Sequence, residues 1–383
     1  MAARKQARGK ETKRLGIRRT PRKVGYVVVG CGHFAQQAIL PAFTNAKKNS
    51  KLVALVSGDT KKHKVLGKRY DVPVFGYDQF EECINLPEVD AVYIALPNAL
   101  HAEYTVRAAR AGAHVLCEKP MALSEEQCQE MIRAADESDV KLMIGYRLHF
   151  ESANLMAMEA VRKGKLGDPR IFTSSFSFQV NAPNIRVERE EGGGVLWDIG
   201  TYCINAARYL FRSDPEEVFA FQAKGHDERF AETEEAVSAV MRFPDDKLAC
   251  FNVSFGAAGS ATYQLVGTKG SVRLDNAYNY KAKMTFELET KGRKKRVLPE
   301  RDQVGPELLY FSDCILKNKP IEPNGWEGLA DVRVIRALYE SANTGRPVRV
   351  EPVEKLERPT RAMEQRRPSV QPPVMVDVAP PTQ

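Results

Sequence analysis

Residues 192–211 read GGGVLWDIGTYCINAARYLF, three glycines followed by a helical pattern. Val195, Ile199, Cys203 and Leu210 fall on one face, and Asp198, Tyr202, Asn205 and Tyr209 form a row beside it. A carboxylate, a phenol and an amide at helical spacing can orient a hydroxyl group and take or return its proton. The same row also describes a half-exposed helix face, so the pattern alone leaves both readings open. A second stretch, VVVGCGHFA, sets Gly30, Gly32 and Ala35 as G-x-G-x-x-A between a strand run and a helical pattern. Gly30 would allow the tight turn, Gly32 the close approach of backbone to a pyrophosphate, and Ala35 the packing of helix on strand, with phosphates at the helix N-terminus. His33 and Phe34, inside that turn, would line the pyrophosphate–nicotinamide region.

The end of the second strand bears on which dinucleotide is held. An NAD site expects a carboxylate there, about 20 residues past the glycines, to hold the ribose hydroxyls. This chain has VSGDTKKHK: Ser57 and Gly58 at the strand end, then Lys61, Lys62 and Lys64. A hydroxyl with ammonium groups suits a 2′-phosphate, so NADP is favoured over NAD. Asp59 could still reach the ribose, and the lysines could equally be the solvated face of a helix.

The elements that would position these residues alternate from Val24 onward. Strand runs at Gly25–Val29, Leu52–Ser57, Val89–Leu96, His114–Cys117 and Lys141–Gly145 enclose helical patterns at 33–45, 61–70, 101–111 and 125–138. Such alternation with short connections implies a parallel sheet with right-handed crossovers. Beyond Tyr146, runs at 171–180, 219–223, 236–243, 249–255, 262–267 and 271–275 suit a mostly antiparallel sheet, and a last helix spans 327–343. The expected class is therefore α/β: a dinucleotide-binding domain over 24–147, then an α+β domain over 148–350 with a large open, mostly antiparallel sheet.

The chain has 383 residues, 43% hydrophobic and 28% charged, with a net charge of +8. Residues 1–23 carry +9 and residues 351–383 carry zero, which leaves the body, 24–350, at −1. Both ends read as flexible tails, the first basic and the second proline-rich, and the neutral body argues against specific nucleic-acid binding. No apolar run reaches bilayer length, and no apolar segment follows Arg18-Arg19, so neither a membrane span nor an export signal is expected. Seven scattered cysteines without paired spacing point to reduced thiols, a cytoplasmic setting and no metal site.

The segments ILPAF, VYIALPN, HAEY, CEKPMA, GYR and GGG-x-L-x-D-I-G-x-Y, in this order between Val24 and Val350, resemble the Gfo/Idh/MocA family of oxidoreductases. The likeness is strongest to its glucose–fructose oxidoreductase branch, because Tyr202 stands where most members carry histidine and Asn205 where many carry an acid. The resemblance implies a Rossmann domain, and a second domain whose sheet floors the pocket and makes subunit contacts in a dimer or tetramer. It implies that Lys119 meets Tyr202 over the nicotinamide, with Asp198 assisting. It places Leu96, Pro97, Asn98, His101, Glu118 and Arg147 around the cofactor, and a cis peptide between Lys119 and Pro120. Tyr278 and Tyr280 would approach the substrate from the sheet.

The chemistry of these residue types agrees. Tyrosine is a poor base at its ordinary pKa of about 10, and a neighbouring ammonium favours the phenolate. Lys119 ends a strand on the edge where open α/β sheets place ligands, and could supply that ammonium. Asp198, one turn before Tyr202, would hold Lys119 charged or orient the substrate. The expectation is an NADP-dependent oxidoreductase moving a hydride between its cofactor and a sugar or polyol. The alternatives are a dihydrodiol, xylose or anhydrofructose dehydrogenase of the same family, or a non-catalytic dinucleotide sensor.

Overall fold

The computed structural model describes residues 22–354 and 358–382. The expected basic tail, 1–23, lies outside the described residues except for its last two. Strand β1 (Val24–Val29) is buried along its whole length, as a Val-rich central strand covered on both faces must be. It lies at the middle of a six-stranded parallel sheet with β2 (Ser50–Val56), β3 (Val74–Phe75), β4 (Ala91–Ile94), β5 (His114–Glu118) and β6 (Leu142–Gly145). The order β3-β2-β1-β4-β5-β6 is that of a doubly wound dinucleotide fold, and its strand order reverses beside β1.

The second sheet has nine strands: β7 (Pro169–Ser177), β8 (Glu217–Ala223), β9 (Ala236–Phe243), β10 (Lys247–Ser254), β11 (Ser260–Gly267), β12 (Gly270–Asp275), β13 (Met284–Glu289), β14 (Arg293–Leu298) and β15 (Val348–Arg349). Their order is β14-β13-β12-β11-β7-β10-β9-β8-β15, antiparallel throughout except where β7 meets β10. One face is covered by helices 152–162, 201–211 and 325–344. The other carries Ile171, Phe221, Val240, Leu248, Val266 and Val297, all exposed. Adjacent strands align Val266 with Ile171 and Ile171 with Leu248, so these side chains form a band across the sheet.

The helix Gly305–Leu316 returns to the first domain and packs on β1 and β2, where the Tyr26 hydroxyl lies 2.8 Å from Ser312 Oγ. No amphipathic stripe announces it, because apolar and buried residues run around most of its circumference. The C-terminal segment departs most from the sequence reading. Residues 358–382, expected as a flexible tail, lie across the body with Met363, Val370 and Val376 buried. Arg358 pairs with Asp214 and Glu327, and the Arg361 guanidinium donates to the Ser152 carbonyl at 3.0 Å. A few buried valines and arginine–carboxylate contacts suffice to dock a segment whose composition alone reads as solvated. Among the described residues no helix is long and apolar enough to cross a membrane, and all seven cysteines are free.

Candidate active site

The glycine-rich turn before the polar helix is demanded by its surroundings. Gly192 and Gly194 have φ of 78° and 134°, and a Cβ on Gly194 would fall 2.5 Å from the Tyr339 hydroxyl. The helix then opens with a π-helical turn, Leu196–Gly200, before settling into α-helix over Thr201–Phe211. Lys119 reaches this turn from the end of β5, and its peptide bond to Pro120 is cis, as expected. The Lys119 ammonium donates to Asp198 twice, to Oδ1 at 3.0 Å and to the backbone carbonyl at 2.9 Å. Asp198 Oδ2 accepts from Arg186 Nε at 2.6 Å.

Asp198 is thus a carboxylate shared by two cations. Burial pushes its pKa up, but Lys119 and Arg186 outweigh burial and hold it well below the usual carboxylate range. Burial works against the Lys119 ammonium as well; Asp198 and Tyr202 overcome it and hold that pKa above its ordinary value. Both groups therefore stay charged across the neutral range.

Tyr202 lies between two cations. The Lys119 ammonium sits 4.8 Å from the ring centroid, against the face rather than at the hydroxyl. The direct partner of the phenol oxygen is Arg147, whose Nε donates to it at 3.2 Å. Arg147 is itself buried and fixed, donating to the Tyr278 carbonyl at 2.6 Å and to Gln303 Oε1. The ring of Tyr202 packs against Phe176 and Tyr278, with centroids 5.7 and 6.0 Å away. Arg147, expected around the cofactor, bonds the Tyr202 phenol oxygen.

The rest of the row belongs to the core. The Asn205 amide donates to Glu327 at 2.8 Å and to Asp331 at 3.0 Å, and Tyr209 donates to Asn154 at 3.1 Å. Next to them Arg208, fully buried, pairs with Asp214, Glu327 and Asp331. The row therefore divides after Tyr202 into a half that meets Lys119, Arg147 and Arg186 and a half that anchors the helix.

The nucleotide turn has the shape its sequence anticipated. Gly30 has φ of 91°, and a Cβ there would sit 2.4 Å from the Ala95 carbonyl oxygen. Around a Cβ on Gly32 no atom lies within 4 Å, which leaves space for an approaching phosphate. Ser57 is buried at the end of β2, and Gly58 lies against the Tyr77 ring. Asp59 caps the helix Thr60–Tyr70, accepting from the backbone N–H of Lys61 at 2.8 Å and of Lys62 at 3.1 Å. Its other oxygen lies 3.6 Å from the Lys62 ammonium. The carboxylate is thus committed to the helix end and to Lys62, which accounts for an acid so near a site that otherwise suits a 2′-phosphate.

Several other expected residues have definite tasks. His101 is buried with Nδ1 2.7 Å from the Pro120 carbonyl and Nε2 3.0 Å from that of Leu96. Leu96 and Pro97 follow β4, and Asn98 donates to the Gly192 carbonyl at 2.9 Å, which ties the loop to the turn before the polar helix. Glu118 accepts from the Tyr93 hydroxyl at 2.8 Å, and burial pushes its pKa up. Phe34 meets Tyr280 edge to face at 5.9 Å, and burial together with Arg186 lowers the His33 pKa. Tyr278, expected near the substrate, is fully buried with its hydroxyl 2.7 Å from Ser174. Arg186 and Gln303 carried no sequence signal, since neither belongs to a periodic or spaced pattern.

Profiles of known families match most of the chain. Residues 24–146 match the oxidoreductase family with an NAD-binding Rossmann fold, and residues 155–273 match the GFO/IDH/MocA C-terminal domain. D-xylose 1-dehydrogenase [NADP(+)] of Haloarcula marismortui is 29% identical over 341 residues, covering 87% of this chain and 94% of that one. The crystal structure of aldose-aldose oxidoreductase from Caulobacter crescentus, complexed with glycerol, superposes with a TM-score of 0.82 at 37% identity, covering 86% of this chain and all of that one. KijD10, a 3-ketoreductase from Actinomadura kijaniata in complex with NADP and TDP-benzene, superposes with a TM-score of 0.76 at 26% identity, covering 83% and 98% of the two chains.

Proposed function

The chain belongs to the Gfo/Idh/MocA family of oxidoreductases, and from that premise we propose that it transfers a hydride between NADP and a sugar, at the anomeric carbon of a cyclic aldose. The observation that carries this reading is the convergence of Lys119 and Arg147 on Tyr202, with Asp198 bonded to Lys119, beside the C-terminal edge of the parallel sheet. The open space at Gly32, the turn at Gly30, and Ser57 at the end of β2 with Lys62 in the helix after it fit a dinucleotide carrying a 2′-phosphate. The cofactor in the names of the Haloarcula relative and the KijD10 complex supports NADP, and the aldose names of two relatives support a sugar substrate.

When bound, the nicotinamide supplies the hydride acceptor. Tyr202 takes the proton of the carbinol hydroxyl through its phenol oxygen. Arg147, bonded to that oxygen, and Lys119, over the ring face, stabilise the negative charge that the oxygen carries when its proton is absent. Asp198 keeps the ammonium charged and aimed, and Arg186 closes the far side of the carboxylate. In the reverse direction the same phenol returns the proton. The exposed row of Val266, Ile171 and Leu248 across three strands of the second sheet supports a homo-oligomer, since aligned apolar side chains are costly to leave in water.

A panel of aldoses and polyols assayed with NADP and with NAD tests the proposal. The expected result is turnover of an aldose with NADP preferred, and a fall of about 10²–10⁴-fold in kcat/KM on Tyr202→Phe. No turnover of any sugar by a protein that binds the dinucleotide, or full activity in Tyr202→Phe, would overturn it.

A further inference from the structure

Resting on that reading, we propose that residues 374–382 form a strap that closes the dinucleotide crevice and holds the cofactor between turnovers. The segment is fastened first beside the glycine turn. Gln36, fully buried one turn beyond the glycine motif, bonds the Val376 backbone twice. Its Oε1 accepts from the Val376 N–H and its Nε2 donates to the Val376 carbonyl, both at 2.8 Å. The same Nε2 donates to the Cys31 carbonyl at 3.0 Å, so one side chain joins the strap to the turn that would cradle the pyrophosphate.

Asp377, at φ of 50°, then sets its carboxylate 3.1 Å from the Lys61 ammonium, where the helix after β2 begins. From there the chain leaves the first domain and reaches the second. The Asn181 N–H donates to the Pro381 carbonyl at 3.0 Å, its side chain donates to the Pro380 carbonyl at 3.1 Å, and Thr382 forms an antiparallel bridge with Val180. The segment thus joins the glycine turn, the start of the helix that carries Lys62, and Val180 and Asn181 of the second domain. That is the path along which the pyrophosphate and the phosphorylated ribose would lie. Pro372, Pro373, Pro380 and Pro381 lack N–H groups and hold fixed φ, which keeps such a segment extended while it is pinned at its contacts.

The contacts that release would have to break include two hydrogen bonds on a buried side chain and the burial of Val376. The test measures NADPH dissociation from the full chain by displacement with excess NADP. One variant ends at Val374. A second carries Val180→Cys and Thr382→Cys, whose positions face each other across the bridge at a separation a disulfide can span. Truncation is expected to speed release by about tenfold or more, and oxidation of the cysteine pair to slow it by a similar factor relative to its reduced form. Should the truncated chain fail to fold, the cysteine pair decides alone. Release rates within twofold of the full chain in a folded truncation, or equal rates for the oxidised and reduced pair, would overturn the strap and leave the proposed function standing. A full chain that binds no dinucleotide would overturn both.

Discussion

Replacing Asp198 by asparagine separates the charge of this carboxylate from its shape. Asparagine keeps one oxygen acceptor but removes the negative charge shared by Lys119 at 3.0 Å and Arg186 at 2.6 Å. Hydrogen bonds to charged groups contribute about 1.5–3 kcal/mol each, and one acceptor survives, so the structural loss should be roughly 2 kcal/mol. For a domain of this size that corresponds to a fall in Tm of roughly 4–8 °C. The sharper consequence concerns Lys119. Its raised pKa means that its charge is present below the ordinary lysine value and is lost as pH rises through the raised one. Without Asp198, burial acts less opposed and that pKa falls. The alkaline limb of the pH profile of kcat/KM should therefore move to lower pH, and the rate at its optimum should drop by about 10²-fold. Stopped kinetics between pH 6 and about 11, with a thermal melt of the same preparation, measure both. An alkaline limb in the same place, with activity within about threefold of the parent, would show that Asp198 does not act through Lys119, and the argument for the shared carboxylate would fall.

The remaining predictions use other parts of the site. Gly30→Ala should destabilise the fold by roughly 1–3 kcal/mol through φ of 91° and the close Ala95 carbonyl. Gly32→Ala should leave the melting temperature nearly unchanged but weaken NADP binding by about tenfold, because the space it fills is open in the protein and needed by the phosphate; melts and titration calorimetry distinguish the two. Arg147→Lys should lose most of the activity despite keeping the charge, since lysine cannot serve Tyr202, Gln303 and the Tyr278 carbonyl together. Lys62→Ala should weaken NADP by about tenfold, which is about 1.4 kcal/mol, and leave NAD unaffected. Phe221→Glu, on the exposed face of the second sheet, should shift the protein toward monomer in light scattering with little change in its melt.

Much of the architecture was legible because it rests on short-range rules. The all-buried run of β1, the glycine spacing after it and the alternation of strands and helices each require only neighbours in sequence. Element ends moved by a residue or two, and β4 is shorter than its apolar run. Within the site, Lys119, Asp198 and Tyr202 were found through ordered motifs. Arg186 and Gln303 could not be, because Arg186 approaches Asp198 and Gln303 approaches Arg147 through space from segments without periodicity. The row on the polar helix looked uniform in sequence; only its neighbours assign Asp198 and Tyr202 to contacts with Lys119 and Arg147, and Asn205 and Tyr209 to contacts with the long helix 325–344 and with Asn154. The helix 305–316 and the closing segment 358–382 escaped for opposite reasons. The first is apolar around most of its circumference, and the second is too polar and proline-rich to suggest docking.

By itself, then, the order of residues determined the layered fold and the dinucleotide turn, since each follows from spacing along one or two elements, whereas the lysine–tyrosine pair was reached only through the likeness of ordered motifs to a known family. Which cation bonds the phenol oxygen, where the Asp59 carboxylate is spent, and that the C-terminal segment docks on both domains were decided only in three dimensions. Hydrogen bonds between groups distant along the chain depend on angles and distances set by packing, and no pattern in one dimension encodes them.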